Sequence, residues 1–274
     1  MSESSRPGRY ESDAPDPSEG RDLYGQDAAA YDMGRPEYPE RVWEILESRC
    51  RLGRGSRVLE IGPGTGLVTR RLLAMGAQVT AVEPNASMVA YLRESLGDKN
   101  VDVVASPFED AQLGDHEFDL AVAATSFHWV DRNIGTEKLR RVMRPGGWVA
   151  IWWMLFEDPI HSDEFAEAVE TVLGGSPGCI LEPGRRPFQI DEVARRSELS
   201  EARFGDVNSE LVPTEREMDA AQLRALYATM AVVLRRPPPE QTRVLDAIEA
   251  LVRHDFDGRV QRRFLTALYT ARNP

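Results

Sequence analysis

The run Val58-Leu59-Glu60-Ile61 breaks into Gly62-Pro63-Gly64-Thr65-Gly66 and resumes with Leu67, Val68, Leu72, Leu73 and Met75 apolar, until Gly76 stops it. A short apolar segment, a glycine-rich turn and an amphipathic segment read as strand, tight loop and helix. That order is the opening unit of a doubly wound α/β sheet. Glycine lets the chain turn sharply and lets a ligand approach where a Cβ would clash. Backbone N–H groups at the new helix start face that ligand. A dinucleotide loop follows G-x-G-x-x-G. Here the glycines stand at 62, 64 and 66, and Leu67 occupies the place of the third dinucleotide glycine.

The segments that follow suit the same sheet. Val79 to Val82 reads as a second strand ending in Glu83-Pro84. An acid at that tip accepts hydrogen bonds from the ribose hydroxyls of an adenosine; NAD enzymes use the same device, so Glu83 does not name the ligand. Read alone, it is also a charge suited to a helix start. Asn85 is a candidate N-cap for a helix with Met88, Val89, Leu92 and Leu96 inward, ended by Gly97. Val101 to Ala105 reads as a third strand, followed by the turn Ser106-Pro107-Phe108-Glu109-Asp110. Leu120 to Ala124 is the fourth strand, and Thr125-Ser126-Phe127-His128-Trp129-Val130 lies at its carboxyl end, where open α/β sheets bind ligands. A helix over 131–143, the turn Arg144-Pro145-Gly146-Gly147 and a fifth strand from Trp148 to Trp153 come next.

At the ends the pattern loosens. Residues 1–21 are rich in Ser, Pro, Gly and charge and read as a disordered tail. A helix is expected to begin near Asp22, residues 31–39 to be largely irregular, and a second helix to cover 39–51. Helices are expected over 162–173 and 191–198, with a break at 174–178. Strand six is expected over 201–212, a helix capped by Thr214 to about Leu234, a helix over 239–253 and a last strand over 259–271. Strands six and seven should pair antiparallel at one edge. The fold class is therefore a Rossmann-like, seven-stranded doubly wound sheet, mostly parallel with an antiparallel last strand. Residues 22–56 form an N-terminal helical lid, and residues 57–274 the main domain with helical insertions at about 155–200 and 214–253.

Composition narrows the partners. The chain has 274 residues, 42% hydrophobic and 28% charged, enough for a normal core. A net charge of −12 with no lysine-rich run argues against nucleic acid. Two cysteines without ligand spacing suit a reducing, cytoplasmic setting. No apolar run reaches membrane-spanning length, and the four scattered histidines suggest no metal site.

The pattern E-x-G-x-G-x-G from Glu60 to Gly66 resembles motif I of the class I S-adenosylmethionine (SAM)-dependent methyltransferases. Tyr31-x-x-x-Arg35-Pro-x-Tyr-Pro resembles the N-terminal lid of small bacterial-type members, the methyltransferase type 11-like group, and Ser106-Pro107-Phe108-Glu109, the S-F-H-W segment and R-P-G-G follow in family order. The resemblance spans about residues 22–154, and its specificity lies in the combination. It implies that Gly62, Pro63, Gly64 and Gly66 back the methionine and ribose part of SAM, with Glu60 close to its ammonium group. Glu83 and Pro84 would meet the ribose, and Met88 would lie beside the adenine. The 106–109 turn would hold the adenine edge; most members have Asp where Ser106 stands, so a backbone group or Glu109 takes that bond here. Thr125 would border the cofactor at the end of strand four. Arg35 is a candidate for the SAM carboxylate or an anchor of its loop.

The N/D-P-P-Y of enzymes that methylate DNA bases or protein glutamine is absent at strand four, and S-F-H-W resembles the small-molecule group. His128 is the candidate general base; otherwise its ring packs with its nitrogen satisfied. Tyr24, Tyr31, Trp129, His161 and Tyr227 are candidates for the acceptor site. The expected function is methyl transfer from SAM to an O, N or C atom of a small metabolite, by a monomer or homodimer. The alternatives are an inactive SAM-binding regulator and an NAD(P)-dependent oxidoreductase.

Overall fold

Alternation along the first strand sets the layers, because successive side chains of a strand point to opposite faces. In β1 (Arg57–Ile61), Val58 belongs to one buried cluster and Leu59 and Ile61 to another. The structure is a computed structural model and describes residues 23–97, 101–159, 161, 163–174 and 187–274. The expected tail and most of the 174–178 break lie outside the described residues.

Among the described residues the first full helices are α1 (Ala28–Gly34) and α2 (Glu40–Ser48). After β1 come α3 (Leu67–Ala74), β2 (Gln78–Val82), α4 (Ala86–Leu96), β3 (Val101–Val104) and β4 (Phe118–Ala124). Then follow α5 (Arg132–Val142), β5 (Met143–Leu155), α6 (Glu164–Val172) and α7 (Glu192–Glu201). The described chain ends with β6 (Gly205–Asp219), α8 (Ala220–Ala228), α9 (Ala231–Leu234), α10 (Pro238–Asp255) and β7 (Arg259–Arg272). The seven strands run β3-β2-β1-β4-β5-β7-β6. β1 to β5 are parallel, and β7 is antiparallel to both β5 and β6.

Two cores cover the sheet. Val42, Trp43, Ile45 and Leu46 of α2, with Val68 and Leu72 of α3 and Leu92 of α4, pack on one face. Leu139 and Val142 of α5 and Leu199 of α7 pack on the other. A third cluster joins α6, α8 and α10 to the ends of β6 and β7. Each fully burying Leu, Val or Ile contributes about 1.5–3 kcal/mol.

Four expectations need correction. Helix α1 reaches Gly34, so only 35–39 is irregular before α2. The R-P-G-G segment lies inside β5 as an irregularity, because the register steps from Phe118 opposite Met143 to Leu120 opposite Trp148. Thr214 caps no helix: β6 continues to Asp219. Its charged residues suit an exposed edge strand, with Glu215 pairing with Arg263 at 3.1 Å and Glu217 with Arg259 at 2.5 Å across the ladder. The cap that starts α8 is instead Asp219, in a reciprocal box with Gln222. The helix expected to run on to Leu234 is two short ones, α8 and α9.

Candidate functional site

The strand order reverses between β1 and β4, and ligands of open α/β sheets bind in the crevice beyond such a point. There the Ser126 hydroxyl donates to the Ile61 carbonyl at 2.5 Å, and the Gly62 N–H donates to Val82 at 2.9 Å. A Cβ on Gly62 would stand 2.5 Å from the Cβ of Ser126, at φ +69°, so glycine is required on both counts. Gly64, at φ +56°, lines a cavity of about 200 Å³, and a Cβ there would meet nothing within 4 Å. Gly66 does not line the cavity; its missing Cβ makes room for Leu92, which would lie 2.4 Å away.

Three carboxylates border the cavity. Glu83, at the tip of β2, accepts from the backbone N–H of Gly64 at 3.1 Å and of Asn85 at 2.9 Å, tying the glycine turn to the second strand. Glu60 is 1% exposed and accepts a hydrogen bond from the Thr69 hydroxyl of α3 at 2.7 Å. Burial, with a smaller push from Glu83, raises its carboxyl to about 7. Glu109 accepts from the Asp131 N–H through Oε1 at 2.8 Å, while its buried Oε2 has no partner among the described residues. The turn carrying Glu109 is fixed from behind by Lys138, whose ammonium donates to the carbonyls of Glu109 and Ala111.

The opposite wall comes from α1 and the 35–39 segment. The Arg35 guanidinium lies between the rings of Tyr31 and Phe156, 4.7 Å from each centroid, and donates to the Thr229 carbonyl at 2.8 Å. Its buried Nε has no partner among the described residues. Tyr38 shares a hydrogen bond with the Thr125 hydroxyl at 3.1 Å, and burial pushes its phenol upward. Thr125 holds φ +53°, a strained conformation for an L residue with a branched side chain. Asp32 of α1 accepts from Arg70 of α3 at 2.7 Å, and Arg70 also donates to the Thr65 carbonyl at 3.0 Å, which ties this wall to the glycine turn. His128 sits in the short turn Phe127–Trp129, its ring tilted 44° against that of Trp129 with centroids 4.5 Å apart, and accepts through Nδ1 from the Trp153 indole at 3.0 Å. Its ring edge opens to the cavity, yet its surroundings push the imidazolium down to about 4 through desolvation.

Of the residues singled out in the sequence, Tyr24, Tyr31, Arg35, Glu60, Gly62, Pro63, Gly64, Glu83, Pro84, Met88, Phe108, Glu109, Thr125, His128 and Trp129 line this one cavity. Ser106 and Pro107 do not: the Ser106 hydroxyl turns onto the Pro107 carbonyl at 2.9 Å. Tyr227 is 1% exposed in the α6–α8–α10 core, where its ring meets Phe165 edge-on. His161 is exposed and pairs with Asp158 at 2.8 Å, away from the cavity. Phe156 lines it as well, and so do Tyr38, Ser126 and Met154, which the sequence did not single out as site residues. Tyr38 had a signal, since it stands in the same motif as Arg35. Among the described residues there is no cluster of three metal-ligating side chains, and no helix is long and apolar enough to cross a membrane.

A SAM molecule suits this donor set. Arg35 Nε is a buried donor and Glu109 Oε2 a buried acceptor, neither with a partner among the described residues, and the space before Gly64 admits close approach to the backbone. Sheet order and cavity together define a Rossmann-like protein built to hold an adenosyl cofactor at its switch point. Residues 59–151 match the family model described as a methyltransferase domain. An uncharacterized methyltransferase of Mycobacterium tuberculosis (strain H37Rv) is 36% identical over 131 residues, 47% of this chain and 51% of the relative. The chain thus spans about half the length of the mycobacterial relatives it matches. An uncharacterized methyltransferase of Schizosaccharomyces pombe is 24% identical over 89% of this chain and 94% of its own length. Among solved structures, the [4+2]-cyclase SpnF shares the fold, with a TM-score of 0.57 and 18% identity over 95% of this chain and 98% of that one. Residues 59–151 thus carry a methyltransferase-domain pattern, within a sheet that has the Rossmann-like order of class I SAM-dependent methyltransferases.

Proposed function

We propose that this protein transfers a methyl group from SAM to an O, N or C atom of a small organic acceptor. The observation that carries the reading is a pair of buried, unpartnered atoms of opposite character, Arg35 Nε and Glu109 Oε2, on two residues that line the cavity around the glycine turn. Bound SAM supplies a sulfonium-activated methyl carbon. This chain's residues supply the rest.

Arg35 binds the carboxylate end, Glu83 accepts from the ribose hydroxyls, and Glu109 accepts from the adenine amine. Glu60 faces the ammonium group, whose charge would draw its carboxyl into the ionised form. Residues 22–56 act as a lid that excludes water, with Tyr24, Tyr31 and Arg35 on its inner side. Holding two reactants in line contributes about 7–11 kcal/mol to lowering a barrier of this kind. The aromatic lining at Tyr24, Tyr31, Trp129 and Phe156 favours an acceptor with an apolar body. Malonyl-[acyl-carrier protein] O-methyltransferase of Enterobacter lignolyticus, 29% identical over 55% of this chain and 68% of its own length, supports transfer to an oxygen atom as one form of the reading.

Calorimetric titration with SAM and with NAD(P)H tests the cofactor: SAM should bind and the nicotinamides should not. Incubation with methyl-labelled SAM and a metabolite panel tests turnover. Label that stays on SAM across a panel broad in alcohols, acids, amines and enols would favour a SAM-binding regulator.

A further inference from the structure

Trp153 of β5 is 5% exposed, and its ring is held by Phe188 at 5.0 Å and Tyr269 at 6.1 Å. An indole nitrogen can only donate. Its 3.0 Å contact with His128 Nδ1 therefore requires a bare lone pair on Nδ1, which places the single proton of the neutral ring on Nε2. His128 as a residue is exposed, but its Nδ1 edge faces Trp153 beside Phe188, and a proton added there would set N–H against N–H. Nε2 has no hydrogen-bond partner among the described residues, and the ring borders the cavity. The charged and titratable groups that line the same cavity are Tyr24, Tyr31, Arg35, Tyr38, Glu60, Glu83 and Glu109, and Arg195 of α7 lies over Phe188 at 4.2 Å.

We infer that His128 is a fixed, neutral hydrogen-bond donor at the acceptor end of the cavity, with Trp153 as the residue that positions its tautomer. A neutral imidazole has one lone pair, and Trp153 occupies it. His128 is therefore not the base of the reaction. Resting on the methyltransferase reading above, this names a property of the acceptor. It presents to Nε2 an oxygen or nitrogen lone pair, and its reacting atom loses no proton to this ring.

The tautomer is measured on the full chain by two-bond ¹H–¹⁵N correlation of the histidine rings, without cofactor or acceptor. The expected result is the Nε2–H pattern for His128, unchanged from pH 5 to pH 8. An Nδ1–H pattern, or a midpoint within about half a unit of the ordinary value near 6.5, would overturn the inference. In Trp153→Phe the midpoint should rise by about one unit, the size of one lost hydrogen bond. An unchanged midpoint there would remove Trp153 from the account. If that variant does not fold, the wild-type spectrum decides alone. SAM titration is independent of this readout. A protein that kept the Nε2–H pattern but bound no SAM would sink the methyltransferase reading and leave the donor standing; one that bound SAM and titrated normally would do the reverse.

Discussion

Glu60 carries a burial cost that the Thr69 hydrogen bond and the Arg70 charge offset only in part. A carboxyl held up near 7 in the folded chain releases its proton near the ordinary 4.5 when unfolded. Between those values the folded state holds the extra proton, so stability falls as pH rises from about 4.5 to about 7. The full loss is about 3 kcal/mol. Glu60→Gln keeps an acceptor for Thr69 and removes the titration. In urea melts it should flatten that slope and exceed wild type in stability at pH 8, while weakening SAM binding. Equal slopes in the two proteins would contradict the assignment. The neighbouring glycines separate packing from binding. Gly62→Ala should cost about 2–4 kcal/mol, from left-handed backbone and collision with Ser126. Glu83→Gln turns an amide N–H₂ toward one of two backbone donors, and calorimetry should show SAM binding at least about tenfold weaker.

Helix α1 works on the site through few contacts. Asp32 joins it to Arg70 of α3, both partly buried, with 21% and 30% side-chain exposure. Asp32→Ala should weaken SAM severalfold through loss of the tie between lid and glycine turn. The melting temperature should move by only a few degrees, since such a pair contributes at most about 1 kcal/mol. A large fall in melting temperature with unchanged affinity would make the contact merely structural. The same scale shows what was legible beforehand. The strand–turn–helix around Gly62–Gly66 and the Asn85 cap could be read because each follows from local spacing. The end of β6 could not: Thr214 resembles a cap, and only pairing with β7, distant in sequence, keeps Glu215 and Glu217 extended. Tyr227 was placed at the acceptor for its residue type, but the face it occupies depends on how α8 meets α6 and α10. Trp153 was legible only as the end of the fifth strand. Its bond to His128 depends on the lateral pairing of β4 with β5, which no spacing encodes.

At the scale of the whole molecule, one geometric fact organises the rest. The sheet reverses its winding between β1 and β4, and the glycine turn, the acid after β2, the turn after β3 and the turn after β4 all open onto that crevice. The helices of both faces and the 35–39 segment hold these turns in register. Gly64 is the position where the claim is most exposed, because its hydrogen faces open cavity and no protein atom needs it absent. Gly64→Ala should therefore cost only about 1–2 kcal/mol of backbone strain while blocking the cofactor's approach. The most direct test is calorimetric titration of SAM into wild type and into Gly64→Ala at matched pH and salt. The account predicts saturable one-site binding to wild type and at least about tenfold weaker binding to a variant that still melts cooperatively. Equal affinity in both proteins, or no binding to wild type, would contradict it.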